Sequence, residues 1–467
     1  MTAATVSRLR ALFVVLFGIL ILRQIYVQVI ARPDIASNPY NPRHALLGQN
    51  RGRILASDGT VLSQTVSGKR VYQYGTSLAQ TVGYVSQRYG TSGLEDAYDR
   101  ALTPADTTGD TGAQIGQIAE AMTGKSSTSR GADIVTTIEP AIQNELYTKL
   151  SGYSRGAGVV LDPRTGAVLA LASVPSFDPN DLDAEFGSLV HDQSSPLLNR
   201  AINGLYPPGS TFKIFTASAA LDAGVVTMQS TFYDPGYYTI GNFTLHDDES
   251  EATGTQDVTG AFALSSNVDF GQIALKMGTD TFYRYLDRWG IGGSLDFQLP
   301  ASRDHVPAKD SIVPGELAQM GFGQGALLMS PLQMALVAAT IANGGSEPRP
   351  YIVRQVVWPG VSTSSYGPAQ LATPISADTA ANVKKMMIAV VARGTGTSAQ
   401  LAGVTVAGKT GTATNPFGAP HSWFVCFAPA DNPRVALAVI VENGGYGAAV
   451  AAPIARNVLR VALQHTK

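Results

Sequence analysis

From residue 156 onward, apolar and polar residues alternate in a way that predicts both strands and helices. Five short apolar runs predict strands, at residues 158–162, 167–173, 404–413, 422–428 and 435–441. Three stretches have helical periodicity, at residues 210–223, 330–342 and 453–464. The first two strands flank a Pro-Arg-Thr-Gly turn and form a hairpin, and the last three are neighbours. Strands at both ends with helices between them predict an α+β fold, with one antiparallel sheet and a helical lobe.

The amino-terminal residues have the pattern of a membrane-targeting segment. Arg8 and Arg10 precede an uninterrupted apolar run at residues 11–22, which continues more weakly to Ala31. The uninterrupted run has the length of a signal-peptide core, whereas the whole stretch has the roughly 20 residues that a spanning helix needs. We expect an uncleaved single-pass anchor in the cell membrane, with the rest of the chain outside the cytoplasm because the arginines precede the run.

Local composition and residue pattern divide the chain into three parts. Residues 1–31 form the short cytoplasmic tail and the anchor. Residues 32–155 are polar and mixed, with short strand-like runs and no catalytic constellation, which indicates a smaller α+β pedestal or dimerisation-type domain. Residues 156–467 carry the patterned sheet and helices and form the larger domain.

Composition excludes several classes of function. Hydrophobic residues make up 45% of the chain and charged residues 15%, which indicates a folded protein. A net charge of −2 gives no electrostatic basis for binding nucleic acid. The single cysteine, Cys426, lies in an apolar run and is predicted to be a packed thiol, and the six histidines have no metal-ligand spacing. We expect no metal or other cofactor.

Three short motifs in order carry the candidate chemistry. They are Ser-Thr-Phe-Lys at residues 210–213, Ser-Ser-Asn at residues 265–267 and Lys-Thr-Gly-Thr at residues 409–412. Ser210 and Lys213 share a helix face, so the amine can reach the hydroxyl. Each motif is weak alone, but this ordered set is the one found in serine acyl-transfer enzymes that use lysine as the base.

The motifs suggest a role for each residue. Ser210 is the nucleophile, and Lys213 is the base if burial and the nearby Lys409 favour its neutral form. Ser265 relays a proton and Asn267 binds a substrate amide, although helix capping would also explain this pair.

The third motif is expected to bind substrate. Lys409 suits a substrate carboxylate, together with the hydroxyls of Thr410 and Thr412. Gly411 lets a substrate backbone approach the strand. The backbone amides of Ser210 and Thr412 are the candidates for an oxyanion hole.

Two other clusters receive simpler interpretations. The acidic residues 247–251 could bind a cation, but a solvated loop is the more economical explanation. The glycine-rich residues 321–325 lack the lysine and the spacing of a phosphate-binding loop.

The motifs and their surroundings resemble the class B, high-molecular-mass branch of the penicillin-binding proteins. The resemblance extends to Asp-Pro-Arg-Thr-Gly at residues 162–166, Tyr-Pro-Pro-Gly at residues 206–209, the glycine-rich residues 321–325 and Ser-Pro-Leu-Gln-Met at residues 330–334. Residues 51–55 and 93–99 resemble the pedestal of that branch. The compact size is similar to that of its actinobacterial A-type subgroup.

This resemblance implies a specific fold and activity. The fold would be the penicillin-binding and serine β-lactamase-like one, with a five-stranded antiparallel sheet flanked by helices. The activity would be D,D-transpeptidation of peptidoglycan stem peptides, through an acyl-enzyme that β-lactams trap. Implied partners are a glycan polymerase of the SEDS type and other proteins of cell division or elongation.

Alternative functions are weighed on sequence features. A bifunctional enzyme would need a glycosyltransferase domain, for which residues 45–155 are too few. A β-lactamase would carry Glu-x-x-Leu-Asn between the second and third motifs, and this chain does not. A D,D-carboxypeptidase stays open, because motifs do not distinguish water from an amine as acceptor. A non-catalytic β-lactam sensor or division scaffold is disfavoured by the short cytoplasmic tail and the intact first motif.

Overall fold

The computed structural model describes residues 50–104, 130–247, 252–360 and 363–466, together with residues 13, 15–20, 23 and 26. The expected anchor at residues 11–31 therefore lies mostly outside the described residues. Among the residues described, no helix is both long enough and apolar enough to cross a membrane.

Short strands and helices alternate along the described chain. The strands are β1 (Ile54–Leu55), β2 (Val61–Val66), β3 (Lys69–Tyr72), β4 (Val85–Ser86), β5 (Gly90–Thr91), β6 (Asp133–Thr136), β7 (Gly156–Leu161), β8 (Val168–Val174), β9 (Thr231–Asp234), β10 (Tyr237–Ile240), β11 (Phe243–His246), β12 (Gly254–Asp257), β13 (Glu347–Pro348), β14 (Val353–Val357), β15 (Thr363–Ser365), β16 (Gln370–Ala372), β17 (Ala407–Ala413), β18 (His421–Ala428) and β19 (Val435–Val441). The α-helices are α1 (Ala79–Val82), α2 (Gly93–Ala97), α3 (Asp99–Leu102), α4 (Pro140–Leu150), α5 (Leu182–His191), α6 (Arg200–Asn203), α7 (Lys213–Asp222), α8 (Val258–Leu264), α9 (Asn267–Arg288), α10 (Pro314–Gly321), α11 (Pro331–Ala342), α12 (Ala377–Arg393) and α13 (Ala451–His465). The strands and helices predicted from sequence agree with these bounds to within about three residues.

The central sheet has five antiparallel strands in the order β17-β18-β19-β7-β8. Every residue of β18 and β19 is buried, which explains their unbroken apolar sequences. Helix α11 packs on one face, and helices α4 and α13 pack on the other. The predicted α+β class and the five-stranded antiparallel sheet are confirmed, and β17 is an edge strand as expected.

Helix α7 forms the centre of the helical lobe and packs against α9, α11 and α12. Its first eight residues are all buried, as its nearly apolar sequence predicts. Phe215 stacks on Phe212 at a ring distance of 4.7 Å and meets Trp289 edge-on at 6.0 Å. These large side chains hold α7 rigidly between the sheet and the lobe.

The pedestal contains a six-stranded sheet with the order β15-β14-β6-β1-β2-β3. Strands β14 and β15 come from residues 353–365, far along the chain from the other four. Strand β14 pairs with β6 in antiparallel fashion, whereas β6 and β1 are parallel. The sequence gives no local signal for this pairing, because both partners are ordinary short strands.

Helix α4 lies before the predicted domain boundary at residues 155/156, yet it packs against β8 and α13 of the larger unit. The boundary stays a prediction. These contacts favour counting α4 with the larger domain.

A buried ion network anchors the pedestal. Glu95 is fully buried and accepts hydrogen bonds from Arg51 and Arg70, at 2.8 and 2.7 Å, and from Ser63 at 2.7 Å. Burial by itself would raise the pKa of Glu95, but the two arginines reverse this and lower it. The carboxylate on α2 therefore stays charged, held by Ser63 of β2, Arg70 of β3 and Arg51.

Candidate active site

Ser210 lies in the turn that leads into the central helix. Gly209 has a left-handed φ of +53°, and a Cβ there would lie 2.9 Å from the carbonyl oxygen of Thr412. Glycine therefore suits this position on conformational and on steric grounds. Ser210 follows in a 3-10 turn, Gly209–Phe212, and α7 begins at Lys213. The hydroxyl is placed at the amino end of a buried helix, where the dipole favours developing negative charge.

Ser265 and Asn267 lie at the junction of α8 and α9. Ser265 has a left-handed φ of +68°, which is strained for serine, and Asn267 is the first residue of α9. The capping role belongs to the residue between them, because Ser266 Oγ accepts a hydrogen bond from the Asp269 amide at 2.9 Å. Ser265 and Asn267 are left available for contacts across the cleft.

The Lys213 ammonium connects the first two motifs. Its Nζ donates to the Ser265 carbonyl oxygen at 2.5 Å and to Asn267 Oδ1 at 2.8 Å, and it lies 3.3 Å from Ser265 Oγ. The side chain is fully buried, with Nζ 5.5 Å from the centre of the Phe270 ring. Burial of this kind disfavours the charged form of a lysine, and a base role requires the neutral form.

Lys409 reaches the same hydroxyl from the opposite wall. Its Nζ donates to Ser265 Oγ at 2.8 Å and to the Thr410 carbonyl oxygen at 3.1 Å, and the residue is fully buried. The Ser265 hydroxyl therefore lies between two buried lysines. The relay predicted from the sequence, between Lys213 and the leaving amine, stays a prediction, and this position of the hydroxyl is compatible with it.

Strand β17 packs directly on the Ser210 turn. A Cβ on Gly411 would lie 2.9 Å from Thr211 Cγ2 and 3.1 Å from the Pro208 carbonyl oxygen. The missing Cβ thus lets the strand approach the turn, an effect distinct from the substrate access expected from sequence. Trp423 on the next strand donates from Nε1 to the Pro207 carbonyl oxygen at 3.0 Å and fixes the same contact.

The two threonines of the third motif have different surroundings. Thr410 is buried, and its hydroxyl lies 2.6 Å from that of Thr395 in the loop after α12. Thr412 is half-buried. The Thr395 amide donates to the Ala263 carbonyl oxygen at 3.2 Å, so this loop connects β17 to α8, the helix before Ser265. The sequence motifs did not suggest these contacts of Thr395.

The glycine-rich segment 321–325 supports the Ser210 turn. The Gly209 amide donates to the Gly323 carbonyl oxygen at 2.8 Å, and a Cβ on Gly323 would lie only 2.1 Å from the Gly209 carbonyl oxygen. Gln324 Oε1 accepts a hydrogen bond from Thr414 Oγ1, at 3.1 Å, beyond the third motif. The segment packs beneath the Ser210 turn, a structural role that its sequence pattern did not indicate.

Asp247 does not behave as part of a solvated acidic loop. Its Oδ1 accepts hydrogen bonds from the amides of Asn267 and Val268, the latter at 3.2 Å. Sequence interpretation missed this contact, because the two residues are about 20 positions apart and share no motif. Residues 248–251 lie outside the described residues.

Three carboxyl groups near this junction have perturbed acidities. Burial and a hydrogen bond to Asp234 raise the pKa of Asp247 to about 7. Burial and the nearby Asp234 charge raise the pKa of Asp269 to about 7. Burial would also raise the pKa of Asp234, but hydrogen bonds from Asp247 and Thr253 lower it instead. Near neutral pH, Asp234 is therefore the charged member, and the other two hold protons part of the time.

The other titratable groups of the described residues do not form a metal site. In the described ranges, no group of three or more histidine, cysteine or acidic side chains is arranged to hold a metal ion. Cys426 is fully buried in β18, and burial raises the pKa of its thiol far above the usual range. The packing of Cys426 matches the structural thiol predicted from sequence.

Comparison with known protein families matches both parts of the chain. A family model of the penicillin-binding protein transpeptidase domain matches residues 156–460. A model of the penicillin-binding protein A dimerisation domain matches residues 51–134. Together they cover the larger unit and most of the described pedestal.

Individual relatives agree along nearly the full length. The peptidoglycan D,D-transpeptidase PbpA of Mycolicibacterium smegmatis is 35% identical, over 98% of this chain and 99% of that protein. The corresponding MrdA of Haemophilus influenzae is 31% identical, over 91% of this chain and 70% of that protein.

Solved structures show the same fold. A ceftriaxone acyl-enzyme of penicillin-binding protein A from M. tuberculosis superposes with a TM-score of 0.82 at 32% identity, covering 91% of this chain and 100% of that one. The D,D-transpeptidase domain of a peptidoglycan glycosyltransferase from Eggerthella lenta gives a TM-score of 0.80 at 34% identity, covering 89% and 98%. With a transpeptidase domain and a penicillin-binding protein A dimerisation domain on one chain, the protein belongs to the class B penicillin-binding proteins.

Proposed function

We propose that this protein is a peptidoglycan D,D-transpeptidase that works through an acyl-enzyme on Ser210. The observation that carries the proposal is the Ser265 hydroxyl held between Lys213 and Lys409, 3.3 and 2.8 Å from their ammonium nitrogens. The nucleophile Ser210 lies one helical turn from Lys213. The arrangement therefore provides Ser210 with a lysine base and a proton relay. The relatives named as D,D-transpeptidases and the β-lactam acyl-enzymes of related structures support it.

Acylation follows from these positions. Lys213 takes the Ser210 proton as Oγ attacks the carbonyl of the penultimate D-alanine of a stem peptide. The negative charge on the carbonyl oxygen develops beside the amides of Ser210 and Thr412, which serve as the oxyanion hole. The proton passes through Ser265 to the departing amine, and the terminal D-alanine leaves.

Substrate recognition falls mainly to the third motif. Lys409 and the Thr412 hydroxyl bind the terminal carboxylate. Thr410 shares its hydroxyl with Thr395, so it contributes to the carboxylate site mainly by fixing the strand. Asn267 already accepts from Lys213 and donates from Nδ2 to the His246 carbonyl oxygen at 3.2 Å, so it positions the base as well as facing the substrate amide.

Deacylation by an amine of a neighbouring stem peptide completes the cross-link. Among the described residues between the second and third motifs, Glu316 caps the amide of Val313 and Glu347 is buried in β13. Neither is placed as a base for water, which favours an amine acceptor over hydrolysis.

We also infer that residues 11–31 anchor the protein in the cell membrane, with the catalytic domain outside the cytoplasm. The flanking arginines and the apolar run support this topology. The pedestal would then present the active site to the wall beside a SEDS-type glycan polymerase and the division or elongation proteins implied by the family.

Labelling with a fluorescent penicillin tests the nucleophile. Ser210→Ala should abolish covalent labelling, because β-lactams acylate the same hydroxyl as the substrate. Ser218→Ala is the matched control, since Ser218 lies on the same buried helix and donates to the Ile214 carbonyl oxygen. Persistent labelling of Ser210→Ala would disprove the assignment.

Mass spectrometry of the products tests the reaction. Purified protein incubated with a lipid-linked substrate and an acceptor stem should yield cross-linked dimers and free D-alanine. D-alanine without dimers would identify a carboxypeptidase. Neither product, with intact penicillin labelling, would indicate a sensor or scaffold.

A further inference from the structure

The start of helix α9 is held by an acidic residue from another element. Asp247 Oδ1 accepts from the amides of Asn267 and Val268, and its Oδ2 lies 3.4 Å from the donating Ser266 hydroxyl. The preceding carbonyl oxygen, on His246, accepts from Asn267 Nδ2. Residues 246–247 therefore hydrogen-bond to both the backbone and the side chain of Asn267.

Two more carboxyl groups stand behind this contact. Asp234 at the end of β9 accepts from the Gly236 amide at 2.6 Å and from Thr253 Oγ1 at 2.7 Å, and it hydrogen-bonds to Asp247. Asp269 on the first turn of α9 is fully buried, and no residue of the described chain donates a hydrogen bond to either of its carboxyl oxygens. Asp247 and Asp269 each lie within electrostatic range of Asp234 and of Lys213.

We propose that Asp247 is a positioning residue of the acylation reaction, which holds Asn267 and the Lys213 ammonium in place and does so best while it shares a proton with Asp234. The proposal rests on the proposed function, because its readout is acylation of Ser210. The hydrogen bonds to Asp247 come from Ser266, Asn267 and Val268. Asp247 acts through the start of α9.

The physical argument concerns charge beside the base. With a proton on Asp247, that carboxyl donates to Asp234 while Oδ1 still accepts the two α9 amides. Loss of this proton to solvent places two negative carboxylates together, in reach of Lys213. Negative charge stabilises the ammonium form of Lys213, and an ammonium cannot take the Ser210 proton.

The groups that face Asp247 determine the size of this effect. They are Asp234 from the β9 side and Lys213 from α7, and the same two groups also act on Asp269 of α9. Lys409 from β17 meets the same junction through Ser265 Oγ. Asp248, Glu249 and Glu251 follow Asp247 in the chain and lie outside the described residues.

Acylation by a fluorescent penicillin, measured as a second-order rate constant between about pH 5.5 and about pH 9.5, tests the proposal. Asp247→Asn keeps an acceptor for the α9 amides and a donor for Asp234 but cannot ionise. We expect its rate to rise at a pH lower than in the wild type by about half a unit or more, since the extra negative charge never forms. Asp247→Ala loses the grip on α9, and its rate should fall by roughly tenfold or more at every pH.

Matched variants separate the possible outcomes. Asp280→Asn removes a carboxylate from an exposed site on the same helix and should reproduce the wild-type profile. An Asp247→Asn profile that superimposes on the wild type would overturn the proposal, and this variant decides the matter if Asp247→Ala does not fold. Absence of labelling in the wild type would instead contradict the proposed function.

Discussion

Asp269 allows a direct measurement of how much a buried carboxyl group lowers the free energy of unfolding of this fold. It lies on the first turn of α9, is fully buried, and receives no side-chain hydrogen bond from the described residues. Asp269→Asn replaces it with a group of the same shape that carries no ionisable proton. The comparison of the two proteins across pH therefore isolates the ionisation from the packing.

The magnitude follows from the raised pKa. Burial and Asp234 move the pKa of Asp269 from 3.8 to about 7. A difference of about 3 units at 1.36 kcal/mol each gives an upper bound of about 4 kcal/mol. Partial solvation and local relaxation reduce this, so we expect about 2 kcal/mol.

The direction of the effect is fixed by proton linkage. Well below the ordinary pKa of 3.8 the carboxyl is protonated whether the protein is folded or unfolded, and no stability is lost. As the pH rises to about 7, the unfolded chain releases the proton while the folded protein retains it, so wild-type stability falls. Asp269→Asn has no such proton, and its free energy of unfolding should rise relative to the wild type across this range.

Urea unfolding followed by tryptophan fluorescence, at about pH 4.5 and about pH 8, measures the difference. The advantage of Asp269→Asn should be about 2 kcal/mol greater at the higher pH. Asp280→Asn is the control further along α9, because Lys309 lowers the pKa of the exposed Asp280, so its ionisation is complete at both pH values and its effect should hardly differ between them. Equal effects of Asp269→Asn at both pH values would refute the reasoning.

Three further predictions concern other parts of the molecule. Gly323→Ala should lower the melting temperature and slow penicillin acylation, because its Cβ would overlap the Gly209 carbonyl oxygen. The control Gly325→Ala has the same positive φ without the overlap, so it should lower the free energy of unfolding by only about 1 kcal/mol. Similar decreases in acylation rate for the two variants would count against a role of residues 321–325 in acylation. Glu95→Gln leaves two buried arginine charges without a carboxylate partner, so it should reduce the free energy of unfolding of the pedestal by about 3–5 kcal/mol. A reduction below about 1 kcal/mol would show that the buried ion network does not stabilise the pedestal. Cys426 should react with a thiol reagent only on unfolding, and rapid labelling of the native protein would show that β18 is accessible.

The features that sequence predicted are those set by local spacing. Ser210 and Lys213 are three residues apart, and the strands around Lys409 and Cys426 have unbroken apolar runs. Such patterns determine the secondary structure and the order of motifs directly, and the central sheet follows from them. The chemistry of the three motifs could therefore be inferred before any distance was known.

The features that sequence missed depend on contacts between distant segments. Asp247 accepts the first two amides of a helix that begins 20 residues later, and Gly323 supports a turn more than 100 residues earlier. In each case the residue type is ordinary for a loop, so its position in space alone gives it a role. The Thr395 contact with Thr410 is of the same kind, because a threonine after a helix carries no specific signal.

The six-stranded pedestal sheet also bears on how the chain acquires its structure during synthesis. Strand β6 ends at Thr136, and its partner β14 begins at Val353, roughly 220 residues later in the order of synthesis. Until that segment emerges, β6 presents an unpaired edge, which is a site for misassociation. The amino-terminal domain therefore cannot complete its sheet until a large part of the catalytic domain has been synthesised. A fragment ending near residue 155 would lack two of the six strands, whereas a polypeptide that has passed residue 365 holds the complete sheet.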